Sequence, residues 1–167
     1  VFGLCLPRNK IYREEISPMK PMISLPGEGK TFELEPGSWA RFKLTTEMTD
    51  GKVESFERFV PPHTLGADPH YHHTLTEYLY VISGEATIQS GESIEAYGAG
   101  SMVLVPPKVV HGFWNRSDEP MKLMISFVPA FNHDHFFEEL KKLKNGPPET
   151  YERDLAALRV RFDSVSA

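Results

Sequence analysis

His70-Tyr71-His72-His73-Thr74-Leu75-Thr76-Glu77-Tyr78-Leu79-Tyr80-Val81-Ile82-Ser83-Gly84 is the stretch whose reading decides the fold. Its second half, Glu77 to Ser83, is rich in β-branched and aromatic residues and stops at Gly84, the pattern of a strand. Its first half carries His70 and His72, two residues apart. On extended chain such residues share one side, so both imidazoles project together. Glu77 follows five residues after His72, at the start of the strand.

Strand signals continue on both sides. Upstream, Thr31 to Glu35 and Trp39 to Thr46 flank the turn signal Pro36-Gly37, and Asp50-Gly51 precedes Val53 to Val60. Residues 61–73 hold several glycine or proline breaks and read as a loop. Downstream, Glu85 to Gln89 leads into a Gly-rich stretch ending at Gly100, followed by Ser101 to Val105, Val109 to Asn115 and Met121 to Val128. Residues 1–30 read as an irregular arm with at most one short strand. The period changes after Phe131. Phe136, Leu140 and Leu143 fall on one helical face, with Asn132 or Asp134 as cap and Gly146-Pro147 as stop. A second helix starts near Thr150, with Tyr151, Leu155, Leu158 and Phe162 as its apolar stripe. The organisation expected is one domain over 1–167: an arm (1–30), a β-barrel (31–130) and a helical C-terminal extension (131–167).

Composition narrows the function. The chain has 167 residues, 40% of them hydrophobic, which suits a single globular core. The net charge of -5 leaves no basic footprint for phosphate, so nucleic acid is not expected as a partner. No apolar run approaches the length of a membrane helix, so no membrane partner is expected either. Cys5 is the only cysteine, which rules out an intramolecular disulfide and a cysteine-based zinc cluster. With an opening segment too short for a secretory core, a cytoplasmic location is the expectation.

His111 lies far along the chain, within a later strand segment. A barrel can bring it beside His70, His72 and Glu77, because alternate residues of every strand face inward. Three imidazoles and one carboxylate suit one divalent iron, manganese, nickel, copper, cobalt or zinc ion with a coordination position left over. Leu79 and Val81 share the parity of Glu77, and Phe113 that of His111, so these three are the expected substrate-lining residues. Asn115 reads as a turn former. His63, His73, His133 and His135 read as surface residues.

At these positions the sequence resembles the cupin superfamily. The family's first motif appears as Gly66, His70-Tyr71-His72, Glu77 and Gly84, and its second as Gly100, Pro106, His111 and Asn115, with fifteen residues between them. Two departures stand out. Gly66 is four residues before His70 where the family usually has six, and Lys108 replaces the glycine of a Pro-x-Gly turn. The resemblance implies an all-β double-stranded β-helix (jelly-roll) barrel, with His70, His72, Glu77 and His111 as metal ligands.

The resemblance reaches further at the C-terminus. Single-domain cupins of the quercetinase-like kind carry three histidines, a glutamate and a helical extension, and Phe136-Phe137-Glu138-Glu139-Leu140 looks similar. It implies a metal-dependent dioxygenase acting on an enol, phenol or flavonol-like aromatic molecule, with Glu77 taking the hydroxyl proton, in a homodimer. Two alternatives stand beside it: a redox-neutral cyclase, isomerase or lyase working through an enolate, and a non-catalytic small-molecule binder.

Overall fold

The structure is a computed structural model that describes residues 21–167. Most of the expected N-terminal arm, and Cys5 with it, lies outside the described residues. Residues 21–30 form turns and no strand.

Eleven strands among the described residues make two antiparallel sheets. They are β1 (Thr31–Glu35), β2 (Ser38–Leu44), β3 (Glu54–Val60), β4 (Thr64–His72), β5 (Thr76–Ser83), β6 (Glu85–Ser90), β7 (Ser93–Gly98), β8 (Met102–Val105), β9 (His111–Asn115), β10 (Met121–Val128) and β11 (Ser164–Ser166). One sheet runs β1-β2-β3-β10-β5-β8 and the other β11-β4-β9-β6-β7. The helices α1 (His133–Lys144) and α2 (Tyr151–Arg161) follow the barrel. This is a jelly roll with two C-terminal helices, the fold that the resemblance implies. No helix among the described residues is long and apolar enough to cross a membrane.

The core follows from strand parity. In β10, Met121, Leu123, Ile125 and Phe127 are buried while the residues between them are not. In β5, Glu77, Leu79 and Val81 turn inward and Tyr78 and Tyr80 outward. Each fully buried aliphatic side chain contributes about 1.5–3 kcal/mol, so a one-residue slip of either strand would be heavily penalised. Phe137 of α1 packs on Phe56 at 5.7 Å and Phe32 at 5.8 Å, which ties the helix to the barrel wall.

Three segments differ from the sequence expectation. Residues 64–72 form β4 rather than a loop, although Gly66 and Pro69 interrupt the pattern. The β4–β9 register shifts between Leu65 and Ala67 and again between Ala67 and His70, and such bulges accommodate both residues. The Gly-rich stretch contains β7, paired with β6 through a tight turn at Gly91, where φ is 63°. The C-terminal tail returns as β11 beside β4, with Ser164 opposite His72 and Ser166 opposite His70.

Both positions at which the family motif is altered show local constraints. A Cβ on Gly66 would stand 2.0 Å from Cε2 of Phe113, so the close approach of that ring requires glycine. Lys108 adopts the left-handed conformation with φ 67°, so the turn keeps its shape without glycine. Its N–H donates to the His72 carbonyl at 2.7 Å, and that bond helps hold the turn against the ligand-bearing strand.

Candidate metal centre

The side chains of His70, His72, Glu77 and His111 converge, and their ligand atoms all lie within 4.8 Å of one another. His70 stands opposite His111 across the β4–β9 pair. His72 ends β4 in one sheet and Glu77 opens β5 in the other, so the cluster spans the gap between the sheets. His72 and Glu77 are each 3% exposed and His111 is 1% exposed, whereas His70 is half-buried.

The hydrogen bonds of the imidazoles fix what they offer. Each Nδ1 faces a main-chain carbonyl: His70 that of Asp68 at 2.7 Å, His72 that of Asp163 at 2.8 Å, and His111 that of Val109 at 2.9 Å. A carbonyl only accepts, so each Nδ1 carries the hydrogen and each neutral ring keeps its lone pair on Nε2. Nε2 of His111 lies 2.7 Å from Oε2 of Glu77, and Nε2 of His72 lies 3.3 Å from the same oxygen. Lone pairs facing a carboxylate oxygen at that range need a cation between them, a proton or a metal ion. Backbone acceptors behind three converging histidines are the outer support that metal-ligating imidazoles normally have. The cluster can therefore hold a metal ion, and its mixed nitrogen and oxygen donors fit the divalent transition metals expected from the sequence.

The electrostatics agree with that donor chemistry. Burial, then the neighbouring His111, pulls His70 down to about 4, so its ring is neutral near pH 7. Burial pushes the Glu77 carboxyl up, but His111 and His72 outweigh it and hold the group well below the usual carboxylate range. For His111, burial is outweighed by the Glu77 carboxylate and the ring is raised.

A cavity of about 260 Å³ opens beside the cluster, lined by His70, His72 and Glu77 together with aromatic, aliphatic and charged side chains. Phe56, Phe113 and Phe127 come from the barrel, and Phe136, Phe137 and Tyr151 from the C-terminal helices. Arg58 also reaches it and is 3% exposed. Its guanidinium donates to Ser38 Oγ and to the carbonyls of Trp39, Phe59 and Gly66. Burial lowers its pKa to about 10 against the opposing charge of Glu35.

Of the substrate-lining residues expected from parity, Phe113 lines the cavity. Leu79 and Val81 do not; both are fully buried in the barrel core, because inward parity leads to a filled end of the barrel rather than to the cavity. His63 pairs with Asp118 at the surface, and His73 and His135 are exposed, as expected. Asn115 fixes a turn, donating to the Val60 and Glu119 carbonyls and accepting from the Ser117 N–H and hydroxyl.

His133 differs from the expectation of a surface residue. It is 5% exposed and lines the cavity, because Glu54 of β3 receives both its N–H and its ring. Two further residues escaped the sequence reading. Glu54 gave one usable signal, an acidic residue at an inward position of β3. Asp163 gave none, since its role comes from the return of the tail. Its carboxylate accepts the N–H groups of His73, Thr74 and Leu75, the segment that joins His72 to Glu77.

Residues 56–127 match the family model of the cupin domain. Over 125 residues the chain is 23% identical to an uncharacterized protein of Methanocaldococcus jannaschii, covering 75% of this chain and 92% of that one. KdgF from Halomonas sp. superposes with a TM-score of 0.60 at 15% identity, covering 69% of this chain and 99% of that structure. An RmlC-like cupin from Shewanella frigidimarina superposes with a TM-score of 0.55 at 17% identity, covering 69% and 96%. The domain match covers less than half of the chain, and these structural neighbours share its fold.

Proposed function

We propose that this cupin fold carries a metal-dependent oxygenase, a dioxygenase of the quercetinase-like kind acting on an enol or phenolic small molecule. The observation that carries the reading is the cavity beside the His70, His72, Glu77 and His111 cluster, with phenylalanines in its wall and α1 and α2 over it. A divalent ion held by these four ligands would supply Lewis acidity and, for a redox-active metal, reactivity towards dioxygen.

The chain's own residues do the rest. Phe56, Phe113, Phe127 and Phe136 offer flat apolar surface to an aromatic ring and exclude water from it. Glu77, kept ionised by its two histidine neighbours, is the proton acceptor for a substrate hydroxyl at the cluster. The three main-chain carbonyls keep the imidazoles in one tautomer throughout.

Oxygen uptake with a panel of flavonols and other enolisable aromatics tests the reading. Substrate-dependent uptake is expected, with a large loss of turnover but retained metal in Glu77→Gln. Consumption of substrate at the same rate without oxygen would replace it with the redox-neutral reading, that of a cyclase, isomerase or lyase. One observation favours that second reading: His133 at the cavity wall is backed by the buried carboxylate of Glu54, a carboxylate–imidazole pair suited to moving protons in enolate chemistry.

A homodimer belongs to the same proposal. Among the described residues strand β8 is a free edge, and Met102 and Leu104 on it are 61% and 51% exposed beside Tyr80 and Ile82 of β5. An apolar row on an open edge is a surface that a second copy can cover. A monomeric mass in light scattering would contradict it.

A further inference from the structure

One cavity-lining side chain outside the metal cluster holds a buried polar atom without a hydrogen-bond partner among the described residues. His133 places its Nδ1 2.5 Å from Oε1 of Glu54. Glu54 is fully buried and accepts three further hydrogen bonds, from the N–H groups of Phe131 and His133 at 3.0 Å each and from the Thr46 hydroxyl at 3.2 Å. Burial pushes its carboxyl up, but His133 and these main-chain donors outweigh burial and keep it ionised. An ionised carboxylate only accepts, so Nδ1 of His133 carries a hydrogen, and in the neutral ring Nε2 is then a bare lone pair. That Nε2 is buried and has no hydrogen-bond partner among the described residues.

Glu54 is not part of the cavity wall, whereas His133 is. Nε2 lies on the side of the ring away from Nδ1, and so away from Glu54. The ring stacks on Phe127 at 4.1 Å and stands edge-on to His72 at 6.1 Å, with Phe136 at 6.2 Å. An acceptor left unsatisfied in apolar surroundings is destabilising, and native proteins keep few of them without a reason.

We infer that His133 Nε2 is the acceptor for a hydroxyl group on an aromatic ligand seated in this cavity, a contact separate from the metal cluster. The lone pair selects a hydrogen-bond donor; an ether, carbonyl or carboxylate at the same place would meet it with lone pairs of its own. The phenylalanine walls select the flat apolar body. The preferred ligand is thus a phenol or enol rather than its methyl ether. This rests on the proposed function only in taking that ligand to be the substrate.

The test compares 2-naphthol with 2-methoxynaphthalene by calorimetry, on protein carrying the metal with which it is purified and without dioxygen. Wild type is expected to bind the naphthol at least about tenfold more tightly, a difference of about 1.4 kcal/mol. In His133→Phe that preference should vanish, while metal content and the affinity for 2-methoxynaphthalene stay close to wild type. A preference that survives in the variant assigns the hydroxyl to the metal cluster and overturns the inference. Equal affinity in wild type, or binding of neither probe, overturns it too. If His133→Phe does not fold, a crystal structure of the wild-type naphthol complex decides. A hydroxyl oxygen within hydrogen-bonding reach of Nε2 supports the contact, and a hydroxyl anywhere else refutes it. Because no turnover is read, a failed oxygenase assay leaves this result standing, and the reverse also holds.

Discussion

Replacing Asp163 by alanine should loosen the metal centre from behind. The Asp163 carboxylate accepts the His73 N–H at 3.1 Å, the Thr74 N–H at 2.9 Å, the Thr74 hydroxyl at 2.8 Å and the Leu75 N–H at 3.1 Å. Its own carbonyl accepts from Nδ1 of the ligand His72 at 2.8 Å. Alanine removes every side-chain contact and leaves three main-chain donors without their partner. At about 1 kcal/mol per donor the loss is about 3 kcal/mol. For a domain of this size that lowers Tm by roughly 6–12 °C. Asp163 also has φ 58°, so Asp163→Gly separates the two effects, keeping the left-handed backbone while losing the carboxylate.

The pH dependence gives a second handle on the same residue. Burial raises the Asp163 carboxyl, but the N–H and hydroxyl groups of Thr74 and the N–H groups of Leu75 and His73 outweigh it, so the folded pKa is depressed. A depressed folded pKa contributes stability above the unfolded value, near about 3.9, that is lost as pH falls through the folded one. The Tm gap between wild type and Asp163→Ala is therefore full at pH 7 and narrows below about pH 4. Metal affinity should also fall, by about 10- to 100-fold, the usual effect of removing outer support from ligands. Thermal melts across pH with metal titrations measure all three. A variant that melts with wild type at pH 7, or a gap unchanged in acid, would refute the reasoning.

Two further substitutions probe the turns around the site. Gly66→Ala should push Phe113 out of place, since the new Cβ would lie 2.0 Å from its ring; overpacking of this kind costs about 1–3 kcal/mol in urea unfolding, and an unchanged midpoint contradicts the expectation. Lys108→Gly should stabilise the protein, because its φ of 67° is disfavoured for a residue with a side chain; the gain is about 1 kcal/mol, read as a rise in Tm.

The barrel was legible in the sequence wherever alternation was clean. β10 shows its period in Met121, Leu123, Ile125 and Phe127, and the structure reproduces its bounds. The ligand cluster was legible because His70, His72 and Glu77 lie close along the chain and His111 carries a motif of its own. β4 was missed because bulges at Gly66 and Pro69 break the two-residue period that identifies a strand. β11 was missed because three residues carry no period, and only the β4 edge makes them a strand.

Side-chain roles fared according to distance. Leu79 and Val81 were placed by parity, which tells inside from outside but not the filled end of a barrel from its open one. His133 sits at a helix start, ordinarily an exposed position. It is buried because Glu54, 79 residues earlier, caps that helix from the barrel wall, where the side chain of Asn132 or Asp134 was expected to serve. Such a contact between distant segments leaves no trace in local pattern.

The metal content of protein purified without added metal bears most directly on the whole account. Lone pairs on three fixed imidazoles, gathered round an ionised carboxylate, predict about one divalent transition-metal ion per chain, and its near-complete loss in His111→Ala with the fold intact. Metal-free wild-type protein that takes up no ion on titration, and whose His72 and His111 hold only a proton against Glu77, would contradict it.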